Sequence, residues 1–406
     1  MRLYLHVDIE SYERFFTRKI FFNQGIVTNR KSCIFVLDYQ LYMKKILLVL
    51  SLFCLIILAV VFNPFQPKNT SPIKAFYYWK NYDGFWYDSE TLDTLQVRKL
   101  YVKYFEVDYD PDLGPIPVSK TELTISRTEW DYEKDKEVLS SNARLNIVPT
   151  VFILNSVFKE PGLKTREMAK DILFLISKKH QENMQGFSSP KEIQIDCDWT
   201  ESTKKVYMRF LRELKQEMKK KQSLENTQLS ATLRLYAYKF PDRMGVLPVD
   251  RAMLMCYNLL TPRESGKRNS ILDLEELKKY LIGADAYPIP LDVALPTYSN
   301  VQVFQNKQFK SLFYKEDSTF LSYLKPLKPP FYLISKDTLV DEVYLRKGDR
   351  LKVERVSAKQ IRAAIDVINR EVYFEDRPTM ALFHLDSDEL RKYTHEELVG
   401  FYKHLR

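Results

Sequence analysis

Eight segments of apolar, β-favouring residues recur along the chain with helix-patterned stretches between them, and this alternation limits the fold more than any other feature. They start at Ile73, Lys99, Ile147, Glu192, Gln228, Asp250, Leu291 and Met380. Ile147–Leu154 and Leu291–Tyr298 are nearly continuous apolar runs, as expected of strands covered on both faces. Thr165–Ser177, Thr203–Lys219 and Asp273–Leu281 carry apolar residues at helical spacing. Strands that alternate with helices build parallel βαβ units, and eight of them predict an α/β chain folded as a (β/α)8 TIM barrel. The competing architecture, an open doubly wound sheet, usually shows a glycine-rich first turn. This chain has ten glycines and no GxGxxG.

The barrel is expected over 73–303 and 376–406. Between strands seven and eight, residues 304–375 hold short strand-like pieces at Phe331–Ser335, Glu342–Leu345 and Arg350–Val356, then a helix over Ala358–Arg370. They predict an α+β insertion. Further strand pieces are expected as a side hairpin at Ser119–Glu129 and in a strand Gln228–Tyr238.

Upstream, Lys44-Lys45 precede an apolar run from Ile46 to Phe62, broken only by Ser51 and Cys54. This is the layout of a signal segment or a single membrane anchor over 43–63, followed by a Pro- and Asn-containing linker over 64–72. Such segments begin at a start codon, so Met43 is the expected start and 1–42 a mis-called extension. The alternative is a genuine cytoplasmic tail. The positive residues precede the apolar run, which puts the main domain on the outer side, in a bacterial periplasm or on the cell surface. No small-x-small cleavage site follows, so a retained anchor is the first expectation and a cleaved or lipidated form the second.

The net charge of +9 comes from 62 basic and 53 acidic residues spread along the chain. Lys219-Lys220-Lys221 reads as the solvated end of a helix, and no basic stripe predicts nucleic-acid binding. Cys197 and Cys256 fall on predicted strands and are expected as buried free thiols. Without CxxC or CxxH spacing, no metal and no cofactor is implied.

The stretch with most chemistry is Ile193-Gln-Ile-Asp-Cys-Asp-Trp199, followed by Thr200 and Glu201. Side chains on a strand alternate faces, so Asp196 and Asp198 point the same way, about 6–7 Å apart. Active sites of such barrels gather at strand C-termini. Those ends supply Trp79, Asp108, Asn155, Asp196, Asp198, Tyr236, Tyr238, Tyr257, Asn258, Tyr298, Asp386 and Asp388. Acids, amides and aromatics together suit a sugar, whose ring stacks on aromatic faces while carboxylates serve its anomeric carbon. Arg234, on the next strand, is a candidate partner for the aspartates. Glu106 and Asp108 form a second i, i+2 acid pair. Asp386 and Asp388 also suit helix N-caps.

These residues resemble family 18 glycoside hydrolases, the chitinase-like barrels. That family carries DxxDxDxE at the end of strand four, and Asp196 and Asp198 match its second and third aspartates. Met255-Cys-Tyr-Asn258 is similar to its strand-six Met-x-Tyr-Asp/Asn, and Phe383-His-Leu-Asp-Ser-Asp388 to its strand-eight Trp-x-Leu-Asp-x-Asp. Leu229–Leu233 and Leu247–Ala252 also resemble bacterial envelope proteins built on glycosidase-like barrels. The resemblance implies that Asp198 and Tyr257 hold the acetamido group of an N-acetylglucosamine unit, and that Phe383 replaces the Trp that floors the site. Two positions depart from the motif: Ile193 replaces the first aspartate, and Thr200 stands where the family has its proton-donating glutamate. A threonine hydroxyl is far too weak an acid for that role. Glu201 lies one residue late.

The resulting expectation is a membrane-anchored, extracytoplasmic barrel that binds a glycan, chitin-like or of peptidoglycan type, with weak or no hydrolase activity. Asp196, Asp198 and Glu201 are its candidate catalytic residues. Trp79, Asp108, Tyr236, Tyr257, Asn258, Tyr298, Phe383 and Asp386 are its candidate sugar contacts. The alternatives are an active hydrolase with a displaced acid (Glu201 or another strand-end carboxylate) and an envelope scaffold whose insertion meets a protein partner.

Overall fold

The structure is a computed structural model that describes Ile46 and residues 71–80, 89–263, 266–313, 322–340 and 343–406. The chain divides into two units, Met1–Pro67 and Lys68–Arg406, and the architecture below belongs to the second. The expected extension over 1–42, the anchor over 43–63 and most of the 64–72 linker lie outside the described residues. Among the described residues, no helix is long and apolar enough to cross a membrane.

Eight parallel strands form a closed barrel: β1 (Ile73–Tyr78), β2 (Lys99–Asp110), β3 (Asn146–Ile153), β4 (Glu192–Asp196), β5 (Gln228–Arg234), β6 (Arg251–Met255), β7 (Leu291–Pro296) and β8 (Thr379–Phe383). Closure comes from β1, which pairs with β2 (Tyr77 opposite Tyr101) and with β8 (Ala75 opposite Ala381). The outer ring includes α1 (Thr165–Asn183), α2 (Lys204–Lys220), α3 (Leu274–Leu281), α4 (Ala358–Glu371) and α5 (His395–His404). Each turns an apolar stripe onto the strands; Ile361, Ile365 and Ile368 of α4 are fully buried in the barrel core. Ser357 starts α4 with a capping box closed by Gln360, and Thr394 starts α5 with one closed by Glu397.

Two expected elements end differently. β5 stops at Arg234, and Leu235–Lys239 forms a short helix instead of continuing the strand to Tyr238. Between β2 and β3 the chain makes no α-helix among residues 111–145. Gly114–Lys120 runs back antiparallel along β2, and Thr128–Asp131 pairs with Lys136–Leu139 as a hairpin.

Between β7 and β8, five antiparallel strands form a second sheet: Asn300–Gln305, Gln308–Phe313, Leu324–Pro326, Phe331–Ile334 and Arg350–Glu354. It has its own small core of Val301, Val303, Phe313, Ile334, Leu345 and Leu351. A buried polar junction ties it to the loop after β6. Lys352 and Glu354 pair at 2.6 Å with both side chains 1% exposed. Glu354 accepts the Ser270 amide at 2.9 Å, and Lys352 donates to the Arg268 carbonyl at 2.7 Å.

The barrel interior is polar at its base. Lys99 pairs with Glu192 at 2.8 Å and donates to the Thr379 hydroxyl at 3.1 Å, while Ser230 donates to Glu192 at 2.6 Å. One layer higher, the Tyr77 hydroxyl donates to Gln194 at 2.7 Å and the Tyr77 ring stacks on Tyr101 at 4.8 Å. Above this plug the strands open onto the candidate site.

Candidate functional site

Register determines which side chains reach the barrel mouth, because directly paired residues of parallel strands face the same side. Asp196 ends β4 and lies opposite Phe152 of β3, which lies opposite Glu106 of β2. One layer of the mouth therefore holds Glu106, Phe152 and Asp196. A bulge between Lys103 and Phe105 shifts the alternation of β2, so both Lys103 and Glu106 serve the interior. They form an ion pair at 2.5 Å, with Lys103 almost wholly buried.

Asp196 accepts a hydrogen bond from the Thr232 hydroxyl at 2.6 Å. Burial, with the Asp198 charge behind it, pushes its carboxyl up to about 6, against the Thr232 hydrogen bond and the Arg234 charge. The folded carboxyl binds its proton more tightly than an unfolded one near pH 4, so its contribution to stability is full below about pH 4 and is lost as pH rises through about 6. Asp196→Asn keeps an acceptor for Thr232 and removes this slope. The variant is expected to exceed the wild type in stability by roughly 1–2 kcal/mol near neutral pH, with the gap closing at about pH 4. Urea unfolding at the two pH values checks this; a variant equally destabilised at both would refute it.

Asp198 is exposed and paired with Arg234 at 2.9 Å, the partner expected on the next strand. Trp199 points away from the mouth and is buried, its indole nitrogen donating to the Met244 carbonyl at 3.2 Å. Thr200 sits in a knot of hydroxyls. Its Oγ1 lies 2.9 Å from Ser202 Oγ and 3.2 Å from Thr203 Oγ1, and Thr203 donates to Asn155 of the β3 loop at 2.6 Å. The place that the family gives to its acid thus holds neutral groups that satisfy one another. Glu201 is exposed on the following turn and makes no ion pair with Arg234 or Lys103.

Aromatic rings line the opposite wall. Phe383 is central, with centroids 5.0 Å from Tyr257, 5.6 Å from Tyr77, 5.7 Å from Tyr298 and 5.9 Å from Trp79. Trp79 meets Phe152 edge-on at 6.3 Å, and Lys103 Nζ lies 5.6 Å from its ring centre. Burial first, then the nearby Tyr77 and Asp196, hold the Tyr257 hydroxyl well above the usual tyrosine range, so it remains a donor. Its recorded partner is the Met255 thioether at 3.6 Å, a weak acceptor that leaves the proton available to a ligand. Tyr298 donates to Asn258 at 2.5 Å, which orients the amide, and Asn258 holds a positive φ of 53° just past β6.

The remaining candidates lie apart from this cluster. Asp108 accepts the Tyr109 amide at 2.8 Å and the Ser156 hydroxyl at 3.0 Å, tying the β2 extension to the loop after β3. Asp386 caps the short helix Ser387–Leu390 and pairs with Lys80 at 3.2 Å. Burial alone would raise its pKa, but the Glu389 amide and the Lys80 charge hold it below the usual carboxylate range. Tyr236 sits on the helix that follows β5, against Phe240 and Tyr280 at 4.9 and 6.5 Å. Cys197 and Cys256 are buried and free, and burial raises both thiols. Among the described residues, no three His, Cys, Asp or Glu side chains are grouped to hold a metal.

Lys103, Phe152 and Thr232 are site residues that the sequence reading missed. Alternation along Lys99-Tyr101-Lys103, Thr150-Phe152 and Ser230-Thr232 marks them as inward-facing positions near the strand ends.

No family model matches the sequence, and none of the curated proteins matches it. Among solved structures, the fold is similar to the spore cortex-lytic enzyme SleL of Bacillus cereus, with 13% identity over 82% of this chain and 74% of that one, TM-score 0.47. It is similar to a glycoside hydrolase family 18 N-acetylglucosaminidase of Paenibacillus barengoltzii, with 13% identity over 82% and 100%, TM-score 0.43. A family 18 chitinase of Cycas revoluta in complex with (GlcNAc)3 is similar at 8% identity over 82% and 98%, TM-score 0.44.

Proposed function

We propose that this protein is a glycan-binding barrel of glycoside-hydrolase type with weak or no hydrolase activity, held at the outer face of a bacterial membrane by residues 43–63. The observation that supports the reading is a barrel mouth with carboxylates and aromatic rings but no acid at position 200. Asp196, with Asp198 paired to Arg234 next to it, lies on one wall, and Tyr257, Trp79, Phe383 and Tyr298 form the aromatic wall opposite. The donor position holds Thr200, bonded within a cluster of hydroxyls. The ligand class is an oligosaccharide of chitin or peptidoglycan type. The full-length protein, titrated calorimetrically with N-acetylglucosamine oligomers and peptidoglycan fragments, is expected to bind at least one of them. Trp79→Ala and Asp198→Asn should each weaken that binding about tenfold, the scale of one lost stacking or charged contact. A folded protein that binds no glycan would favour the scaffold reading.

A second reading rests on Glu106, a carboxylate in the same layer as Asp196 and two strands away, about 10 Å across the mouth. An active hydrolase would use it as the displaced acid. Reducing-sugar release that is abolished in Glu106→Gln would establish this reading. Glu201 is the weaker candidate, because it projects from the turn into solvent.

A further inference from the structure

A cleft of about 710 Å³ opens between the insertion sheet and the loop after β6, well separated in sequence from the strand ends of the mouth. Its lining carries five cations, Arg263, Lys307, Arg346, Lys347 and Arg350, against one carboxylate, Asp349. That carboxylate is spent internally. It is buried, accepts the Arg346 amide at 2.8 Å and the Gln305 side chain at 2.7 Å, and pairs with Arg346 at 3.4 Å. Among the described residues, Arg263, Lys307, Lys347 and Arg350 have no carboxylate partner, and all four are exposed.

The cations are held by built turns rather than by loose loops. Asn306 and Lys307 both have positive φ, 50° and 64°, the two-residue turn that joins tightly paired strands. A lysine there takes a backbone conformation that glycine adopts more easily, and it places its charge at the rim of the cleft. Lys347 precedes Gly348, and its amide donates to Asp337 at 2.8 Å, which anchors the opposite rim. The Arg350 guanidinium lies 3.6 Å from the Phe331 ring centre, a cation–π contact that leaves its N–H donors for an anionic acceptor.

We propose that this cleft binds a chain-like polyanion, with repeated phosphate or carboxylate groups on a flexible backbone. Four unmatched cations in one cleft exceed what a single anionic group neutralises, and a flexible chain can place successive charges against them. The site is separate from the barrel mouth and does not depend on the glycan reading. Long-chain inorganic polyphosphate and polygalacturonate, labelled and titrated against the full chain by fluorescence anisotropy, separate a phosphate from a carboxylate source. At least one should bind, with the logarithm of affinity falling against the logarithm of salt at a slope of about −3, as four ionic contacts require. The fourfold variant Arg263→Gln/Lys307→Gln/Lys347→Gln/Arg350→Gln should lose at least tenfold in affinity. Lys307→Gly suits its turn, so it preserves the fold and should still lose severalfold. The control Lys219→Gln/Lys220→Gln/Lys221→Gln removes charge elsewhere and should change affinity less than twofold. The proposal is overturned if neither polymer binds, if the control loses as much as the cleft variants, if Lys307→Gly binds as the wild type does, or if duplex DNA binds more tightly than both polymers.

Discussion

Thr200→Glu is expected to raise the cleavage rate of N-acetylglucosamine oligomers at least 10²-fold over the wild type, the low end of what a positioned general acid contributes. The reasoning starts from the strand. Asp196 is the last residue of β4, and residue 200 lies four residues beyond it, joined through Thr203 to Asn155 past the end of β3, so a carboxyl at 200 projects near the mouth. The wild-type residue meets Ser202 and Thr203 there, hydroxyls whose protons are too tightly held to be given to a leaving oxygen. Asp198 is already paired with Arg234 at 2.9 Å, and burial keeps the proton on Tyr257. The acid is the part this reading lacks. A fluorogenic chitobioside assay on the two proteins decides it. A wild type as fast as the variant would mean that another acid is at work. A variant that binds substrate without turnover would mean that the cradle itself is misaligned for chemistry.

Lys99→Met should cost about 3–5 kcal/mol, because it leaves the Glu192 carboxylate buried without its cation. Glu192 is 2% exposed and would retain only the Ser230 and Tyr101 hydroxyls at 2.6 and 3.4 Å. Thermal unfolding should fall by about 5–10 °C, less per kcal/mol than in a small domain because the barrel is large. Lys99→Met/Glu192→Leu should recover part of the loss, since removing both charges ends the desolvation penalty that a lone charge suffers. Equal losses in the single and double variants would show that the pair contributes by packing and not by charge. The network plugs the base of the barrel and supports Tyr77 and Gln194 beneath the mouth, so its loss should also be felt in ligand affinity.

The eight strand starts and the parallel class were readable from the chain. Each depends on a local period of two or 3.6 residues that a sequence displays directly. The strand-six and strand-eight motifs likewise mark Tyr257, Asn258 and Phe383. The β5 boundary was misjudged because Leu235–Lys239 is as apolar as a strand, and only its packing against α3 makes it a helix. Tyr236 left the candidate wall for that reason. The bulge after Lys103 turns Glu106 inward, and nothing in the local pattern announces it. The pairings of Arg234 with Asp198, of Lys99 with Glu192 and of Lys352 with Glu354 were decided by tertiary structure. Such partners come from separate strands, and register together with barrel closure determines which charges meet in a medium where an unmatched one is costly. Sequence alone determined that a barrel forms and which strand ends carry acids and rings. The closed fold determined which of those acids is buried enough for its pKa to rise, which is paired and which faces solvent.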